Sequence, residues 1–395
     1  MIKKVLILGG SHAQIPVILE AKKQNLYVIT CDYLPDNPGH KLADEYYNIS
    51  TTDVDAVLAL AEKVKPDFII AYASDPAAPV AAYVSDQLSL PGNTFHAVQV
   101  LSEKDQFRNF LSKNGFTVPR AIAIAGDDFH EELFSEMQFP LIVKPTDSSG
   151  SKGVSKIDNF GQFLEAAKLA MAQSRKKRII VEEFIDTNGE QIHGDGYVVD
   201  GQLVFSYLGD HHYNAAVNPF VPYSTTWPSK VGDKYIDAVN AEVQRVLSML
   251  DFQNGGINIE ARIHKGKVYL MEIGPRNGGN YVPQVLAYLT GFNMVKALVD
   301  NLLGKKVETD NLQRGYGAYY VVHSPVDGIL RNINYQPALQ AYIKETHQYV
   351  DKGGRISSFQ GSNAAIAVII LQFASSAEMD SIMCDIHRYV EVELE

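Results

Sequence analysis

The sequence predicts an α/β chain that begins with a parallel sheet and continues as mixed α+β structure. Short apolar runs alternate with helical patterns over the first hundred residues, whereas later apolar runs end at charged side chains and glycine-rich turns. The chain has 395 residues, 46% of them apolar and 21% charged, so it can bury a large core in two or three domains. This composition excludes a disordered chain.

Charge and hydropathy argue against two classes of partner. Lysine and arginine number 35 against 46 acidic residues, a net charge of −11, so binding to nucleic acid is not expected. No apolar run approaches the roughly 18 residues of a membrane span, so a membrane partner is not expected either. Cys31 and Cys384 lie far apart in the chain, which is typical of a reduced cytoplasmic protein.

The first ninety residues predict a βαβαβ unit. Apolar runs end at Gly9-Gly10 and at Asp32, and Asp53 is placed to cap a helix. This order implies a parallel sheet with right-handed crossovers. Strands are expected at 5–8, 27–31 and 68–72, and helices at 16–24, 54–64 and 77–88.

Three uses of this sheet remain open. Gly9-Gly10 followed by Asp32 is similar to a dinucleotide-binding turn, but the glycine pattern G-x-G-x-x-G is absent. The second alternative is a small substrate at the carboxyl edge, because open α/β sheets bind ligands there. The third is a scaffold without a ligand of its own.

A lysine at a helix start is the first sign of an anionic ligand. Thr94 and Ser102 are candidate N-caps, and the segment from Ser102 to Asp105 resembles a capping box before a helix over 106–113. Lys104 then lies in the first turn, where a cation opposes the helix dipole. It is either a surface lysine or a side chain that faces a bound anion.

A glycine- and serine-rich loop carries the strongest local signal. The strand at 139–145 ends in Lys144-Pro145 and runs directly into the loop at 146–154. Exposed backbone N–H groups, hydroxyls and the ammonium of Lys152 suit a polyphosphate. The loop is not a Walker A motif, because G-x-x-x-x-G-K-[ST] is absent.

Two pairs of acids follow on predicted strands. Glu182 and Glu183 are adjacent in the strand at 179–185, so they face opposite ways. Glu260 and Glu272 lie on two strands joined by a turn at 264–267. If that turn is a three-residue loop, the two carboxylates lie opposite one another and a hard cation can bind between them. An even-length loop would place them on opposite faces.

Two further segments suggest substrate contacts. Arg276 lies in a glycine-rich turn at 274–280 and can hold a carboxylate or phosphate with two hydrogen bonds. The segment 207–227 reads as an aromatic, proline-punctuated loop that sets specificity. It contains His211 and His212, which point opposite ways in an extended chain and therefore favour substrate contact over metal binding.

Taken in order, these motifs resemble the ATP-grasp superfamily, especially its carboxylate–amine ligase, L-amino acid ligase-like and biotin-carboxylase-like members. The resemblance covers roughly residues 1–300. It implies a pre-ATP-grasp parallel-sheet domain, a two-lobed ATP-grasp fold and a small C-terminal α+β part. The expected bounds are 1–95 for the first domain, 96–188 for the small lobe with its linker helix, 189–305 for the large lobe and 306–395 for the C-terminal part.

The resemblance also implies ATP and Mg²⁺ as cofactors, with Mn²⁺ as an alternative metal. Glu260 and Glu272 would hold the metal, and Glu190 would bind the ribose. The residues implied for the ATP phosphates are Lys104, Lys144, Ser148, Ser149, Gly150, Ser151, Lys152 and Gly153. Those implied for the hinge beside adenine are Glu182, Glu183, Phe184 and Ile185. Those implied for the substrate are Arg276, Asn277, Gly278, His211 and His212, with Arg276, Lys144 and Lys152 acting in catalysis.

The implied activity is an ADP-forming carbon–nitrogen ligase that joins a small carboxylic acid to an amine through an acyl phosphate. Gly274 stands where many members carry an asparagine, which leaves the number of metal ions open. The alternatives are a carboxylase- or formyl-transfer-type enzyme of small-molecule metabolism and a non-catalytic ATP-binding module. A homodimer is compatible with the resemblance.

Overall fold

Four β-sheets organise the described part of the chain, in a computed structural model that describes residues 2–126, 129–186, 191–214 and 217–395. The predicted fold class is confirmed, because a parallel N-terminal sheet precedes larger antiparallel sheets.

The N-terminal sheet is parallel, with strand order β3-β2-β1-β4. Asp53 caps the second helix as predicted, its Oδ1 accepting a hydrogen bond from the amide of Ala56 at 3.1 Å. The strands are β1 Lys4–Leu8, β2 Tyr27–Cys31, β3 Glu45–Tyr47 and β4 Phe68–Ile70, and the helices are α1 Ile15–Lys23, α2 Val54–Val64 and α3 Ala78–Gln87.

Two consecutive helices link this sheet to the next one, α4 at Phe95–Ser102 and α5 at Lys104–Lys113. Thr94 caps α4, but the capping box predicted at Ser102 is wrong. Ser102 is the last residue of α4, so its backbone is helical, and the extended residue before α5 is Glu103. Lys104 is still in the first turn of α5.

The second sheet along the chain is antiparallel, with strand order β5-β8-β6-β7. Helix α6 packs Phe163 and its alanines on one face of it. The elements are β5 Ala121–Ala125, β6 Leu141–Pro145, β7 Ser155–Ile157, α6 Phe163–Gln173 and β8 Arg178–Glu183.

The largest sheet has eight strands in the order β13-β12-β9-β10-β11-β14-β18-β16. The segment 207–227 predicted as a loop lies largely in two of its strands, β10 and β11, which is a correction. Consecutive residues are buried at 207–211 and 224–227, and the two stretches pair with neighbouring strands, so the segment forms strands despite its prolines. The first elements of this region are β9 Gln191–Val199, β10 Gln202–Asn214, β11 Asn218–Trp227, α7 Asp233–Met249, β12 Gly255–His264 and β13 Lys267–Gly274.

Strands after residue 306 extend the same sheet, so it continues past the position where the C-terminal part was expected to begin. A three-stranded sheet, β17-β15-β19, packs beside them. The remaining elements are α8 Val282–Thr290, α9 Met294–Leu302, β14 Tyr316–Val322, β15 Gly328–Tyr335, α10 Pro337–Gln340, β16 Ile343–Gln348, β17 Arg355–Ile356, β18 Ala367–Phe373, α11 Ser376–Met383 and β19 Val390–Leu394.

Among the described residues, no single helix is long and apolar enough to cross a membrane. Helices α8 and α9 reach that length and composition only as a pair, which is bent by 103°.

Candidate functional site

A cavity of about 670 Å³ lies where the two larger antiparallel sheets meet the N-terminal domain. This volume is in the range of small-molecule sites. Strands β9 to β14 of the eight-stranded sheet, the hinge after β8, the glycine/serine loop and a loop after β4 all contribute side chains.

Glu260 and Glu272 lie directly opposite one another on β12 and β13. The turn that joins these strands holds only two residues, Lys265 and Gly266, so the expected three-residue loop is wrong. A β-bulge restores the register, because Ala261 pairs with Leu270 and Met271 is the extra residue before Glu272. Both carboxylates therefore reach the cavity from one face.

The two glutamates have unequal electrostatic surroundings. Burial and the neighbouring Glu272 raise the pKa of Glu260 to about 7. Burial opposes ionisation of Glu272 as well, but the charges of Lys104 and Arg276 lower its pKa. Lys104 Nζ lies 3.1 Å from Glu272 Oε2 and 2.9 Å from the carbonyl of Ser148, so one ammonium links Glu272 to the loop.

This pair fits a hard cation. Two buried like charges are strained unless something positive lies between them. No cluster of three or more histidine, cysteine or acidic side chains suited to a metal occurs in the part of the chain that the structure describes. Glu260 and Glu272 therefore suit a cation that takes its other ligands from phosphate oxygens and water, as Mg²⁺ does.

Lys144 lines the cavity beside a buried ion-pair network. Its ammonium contacts Glu182 Oε2, and Arg108 Nε lies 2.6 Å from Glu182 Oε1. Arg108 also donates to the carbonyl of Leu270 at 2.8 Å, which ties α5 to β13. Burial opposes the charge of Glu182, but Arg108 and Lys144 lower its pKa to about 2.

Glu182 thus contacts Lys144 and is not among the residues that line the cavity. Its place in the hinge beside adenine stays a prediction. Arg108 was not predicted from the sequence. Its signal was the spacing of four residues after Lys104, which places both cations on one helix face.

The rest of the predicted hinge does line the cavity, at Glu183, Phe184 and Ile185. Lys156 and Arg262 lie over the Phe184 ring, at 4.5 Å and 5.2 Å from its centroid. Arg262 also donates to the carbonyl of Ile185 at 2.7 Å. Glu190, the residue implied for the ribose, lies outside the described residues.

The glycine/serine loop reaches over the cavity at Ser148, Ser149, Gly150, Ser151 and Lys152. Ser151 Oγ donates to the carbonyl of Phe220 at 2.5 Å. Gly150 has φ +66°, and a Cβ there would lie 2.3 Å from Ser362 Oγ. The loop therefore rests on β11 and on the segment before β18, and the positive φ of Gly150 favours glycine there.

Gly153 does not line the cavity with the rest of the loop. It has φ +71° and packs against Gln173 and Ala170 of α6, where a Cβ would lie 3.0 Å from Gln173. The expectation that it binds phosphate is corrected, since helix packing accounts for its glycine.

Arg276 reaches the cavity from the turn after β13, and its guanidinium is ion-paired with Asp75 of the N-terminal domain. Arg276 Nε and Nη2 lie 2.6 Å and 2.5 Å from Asp75 Oδ1. Asp75 follows β4, so it stands at the carboxyl edge of the parallel sheet.

Asn277 and Gly278 lie beneath the cavity, which corrects their assignment as substrate contacts. Asn277 is buried beside Met294, and the amide of Gly278 donates to Asp195 Oδ2 at 2.7 Å. Gly279 and Asn280, the next two residues, line the cavity instead. Gly279 and Asn280 face the cavity because Asn277 and Gly278 are held by buried residues.

His211 lines the cavity, whereas His212 points to the other face of β10, where its Nε2 lies 2.8 Å from Thr226 Oγ1. The assignment of His212 to the substrate is thereby corrected. His211 stacks on His193, a residue that the sequence analysis missed, with ring centroids 3.9 Å apart and planes at 15°.

The turn after β1 is held by contacts within the N-terminal domain. A Cβ on Gly10 would lie 2.0 Å from the His40 ring, and Asp32 Oδ2 accepts from the amide of Gly10 at 3.2 Å. Asp32 therefore stabilises the turn itself, which argues against the dinucleotide alternative. Of the N-terminal domain, Ala73 and Asp75 line the cavity.

Comparison with known proteins agrees with this geometry. Residues 137–284, which contain the loop, the hinge and both glutamates, match the family model of the ATP-grasp domain. The chain contains an ATP-grasp domain. The resemblance inferred from the ordered motifs is confirmed.

Two solved structures share the fold of the whole chain. L-amino acid ligase from Bacillus licheniformis aligns over 100% of this chain and 99% of its own, with a TM-score of 0.83 and 19% identity. Phosphoribosylglycinamide synthetase from Anaerococcus prevotii aligns over 100% of both chains, with a TM-score of 0.79 and 20% identity.

A curated relative is the formate-dependent phosphoribosylglycinamide formyltransferase of Prochlorococcus marinus strain NATL2A, 26% identical over 69% of this chain and 70% of its own. Another is the carbamoyl phosphate synthase large chain of Thermoanaerobacter sp. strain X514, 24% identical over 67% of this chain. The chain spans about a quarter of the length of the carbamoyl phosphate synthase large chains it matches.

Proposed function

We propose that the chain is an ATP- and Mg²⁺-dependent ligase that joins a small carboxylic acid to an amine. The acid is first phosphorylated to an acyl phosphate, and the amine then displaces phosphate to form an amide. ADP and phosphate are released. The observation that carries the proposal is the opposition of Glu260 and Glu272, with Lys104 bound to Glu272 and to the glycine/serine loop.

The lysines and the loop position the triphosphate. Lys104 and Lys144 approach the cavity from α5 and β6, and their charges offset those of the phosphates. Bound Mg²⁺ supplies neutralisation of the charge that develops on the transferred phosphoryl group. A carboxylate oxygen of the acid attacks the γ-phosphorus, the bond to the bridging oxygen breaks, and ADP leaves.

Arg276 orients the acid. Its guanidinium is held by Asp75 through Nε and Nη2, which fixes the plane of the group. A fixed guanidinium places a carboxylate in one geometry, and such positioning accounts for much of the rate when no side-chain nucleophile is needed.

The closed loop protects the acyl phosphate from water. Ser151 Oγ donates a hydrogen bond to the carbonyl of Phe220, and Gly150 packs on Ser362. The loop therefore covers the cavity between the two sheets. The amine nitrogen then attacks the acyl carbon, phosphate leaves with the C–O bond electrons, and the nitrogen loses a proton.

Formate is a second candidate for the acid, because several curated relatives are named as formate-dependent. Formate would follow the same two steps and yield a formamide. This second candidate differs from the first in the acid alone, so both predict ADP formation that depends on an acid.

Measurement of ADP released from ATP and Mg²⁺, with pooled carboxylic acids, pooled amines and formate offered separately, tests the proposal. We expect ADP only when an acid is present, and loss of this activity in Glu272→Gln. Glu62→Gln, an exposed glutamate on α2, is the matched control and should keep the activity. Tight ATP binding without ADP from any pool would identify a non-catalytic module and overturn the proposal.

A further inference from the structure

Five carboxylates line the cavity among the described residues, and four of them belong to the metal pair or to the hinge region. Glu260 and Glu272 form the metal pair, and Glu183 and Asp186 lie at or beside the hinge. The fifth is Asp75 of the N-terminal domain. No group of three or more acidic, histidine or cysteine side chains suited to a metal occurs in the described ranges, so Asp75 does not join the metal pair around a cation.

Only one oxygen of Asp75 is used by its ion pair with Arg276. Both Arg276 nitrogens, Nε at 2.6 Å and Nη2 at 2.5 Å, contact Oδ1. A guanidinium that clamps a carboxylate commonly contacts both oxygens, one with each nitrogen. Oδ2 makes no hydrogen bond within the described residues and is not among their fully buried polar atoms, and 28% of the side chain is exposed. Oδ2 is therefore an accessible acceptor.

Arg276 also has donors to spare. Its Nη1 donates to the carbonyl of Asn277 at 3.1 Å, and Nε and Nη2 each direct one N–H group at Asp75. A guanidinium carries five N–H groups, so one on Nη1 and one on Nη2 remain without a partner in the part of the chain that the structure describes. The ion pair thus offers donors and a free acceptor side by side.

The backbone before Asp75 adopts an unfavourable conformation. Ala73, which lines the cavity two residues earlier, has φ +51°, in the left-handed region that alanine rarely adopts. Such conformations persist where the surrounding structure requires them, and they are common at ligand sites. The chain after β4 is therefore held in a shape that brings Asp75 to the cavity edge.

We propose that Asp75 Oδ2 is the binding point for the nitrogen of the amine substrate, which it receives as an alkylammonium ion. Alkylamines are protonated at neutral pH, as the lysine side chain is, and a cation that leaves water needs a counter-charge. The hydrogen bond persists after the ammonium loses a proton, because the neutral amine still carries N–H groups. This inference rests on the proposed function, since it concerns its second substrate.

The ion pair then brings the two reactants together. The free N–H groups of Arg276 hold the acid, and Asp75 Oδ2 holds the amine, so the nitrogen lies beside the acyl carbon when the acyl phosphate has formed. Charge also keeps the two substrates in their own places. A carboxylate is repelled by Asp75, and an ammonium is repelled by Arg276.

Ethylamine and methoxyamine are matched probes for this contact. They have the same number of heavy atoms and nearly the same shape, but at neutral pH ethylamine is protonated and methoxyamine is uncharged. The protein is incubated with ATP, Mg²⁺ and a pool of short-chain acids that includes formate. ADP and the two amide products are measured while each amine is varied in turn.

We expect wild type to have a lower KM for ethylamine than for methoxyamine. Asp75→Asn keeps an oxygen for Arg276 but replaces the acceptor Oδ2 by an amide nitrogen, which is a donor. The KM for ethylamine should rise about 10- to 100-fold, as expected for the loss of a hydrogen bond to a charged group. The KM for methoxyamine should rise by less than about fivefold, because an uncharged N–H group loses a weaker bond.

The control for this variant is Asp55→Asn, the same change at an exposed aspartate on α2, which should leave both KM values unchanged. Three outcomes would overturn the inference while the proposed activation of the acid stands. The first is a wild type that does not prefer ethylamine, and the second is an equal rise of both KM values in Asp75→Asn. The third is acid-dependent ADP without either amide.

Absence of acid-dependent ADP from wild type has a different meaning. It would remove the proposed function, and the role of Asp75 with it. The comparison of the two amines by wild type needs no variant, so the inference can be refuted even if Asp75→Asn does not fold.

Discussion

Arg276 and Asp75 form an ion pair that joins the ATP-grasp sheet to the N-terminal domain, although 201 positions separate them in the chain. The carboxylate holds Nε and Nη2 at 2.6 Å and 2.5 Å. Only 8% of the arginine side chain is exposed, so its orientation is set by this contact.

Arg276→Lys should raise the KM for the acid by about 10- to 100-fold and leave the KM for ATP close to wild type. The planar guanidinium can bind Asp75 and a substrate carboxylate in one plane, whereas the ammonium of lysine is a point charge and cannot. Initial-rate measurements with acid and ATP varied in turn check this. The control is Arg331→Lys, with 71% of its side chain exposed. An unchanged KM for the acid would contradict the assigned role.

Removal of Arg108 should destabilise the fold strongly. Arg108→Met leaves Glu182 buried with only Lys144 to balance it, and breaking a buried pair in this way costs about 3–5 kcal/mol. The free energy of unfolding from urea titration measures the effect. Arg331→Met, an exposed control, should change it by less than about 0.5 kcal/mol. Comparable losses in both variants would show that the network is not a stabilising element.

The ion pairs of Glu182 also predict how the free energy of unfolding changes at low pH. The pKa of Glu182, about 2, lies below the unfolded value of roughly 4.3, so its ionised form stabilises the fold above the unfolded value. That contribution is lost as the pH falls from about 4 towards 2. Glu182→Gln should therefore show a smaller decrease of unfolding free energy over this range, whereas Glu62→Gln should follow wild type.

Gly150→Ala should slow the reaction by preventing the loop from resting on Ser362. The new Cβ meets Ser362 Oγ, and an alanine at φ +66° adds about 1–2 kcal/mol of backbone strain. Gly126→Ala is a matched control, because Gly126 has φ +71° with nothing within 4 Å. Initial rates of ADP formation compare the two. A similar decrease in both would show that strain alone is responsible.

A double variant separates the clash from the strain at this position. Ser362→Gly removes the atom that the new Cβ meets, so Gly150→Ala/Ser362→Gly should recover part of the lost rate. No recovery would show that the loop does not need this contact in order to close.

Local pattern was sufficient for much of the site. The alternation along β8 predicted that Glu182 and Glu183 face opposite ways, because side chains on a strand alternate regardless of the rest of the fold. Glu182 contacts Lys144 and Arg108, whereas Glu183 Oε1 accepts a hydrogen bond from the amide of Gln138 at 2.9 Å. The opposition of Glu260 and Glu272 was expected for a wrong reason. The turn is shorter than assumed, and the bulge at Met271, which depends on contacts across the sheet, restores the register.

The sequence by itself determined the order of elements, the parallel N-terminal sheet, the loop after Lys144 and the spacing of Glu260 and Glu272 along the chain. Each of these depends on periodicity or on residues within about a dozen positions. Only the tertiary structure decided that Asp75 holds Arg276, that Arg108 balances Glu182 and that His193 stacks on His211. These contacts join residues that are far apart in the sequence. Burial shifts the pKa values of the groups involved, and burial cannot be read from a local sequence pattern.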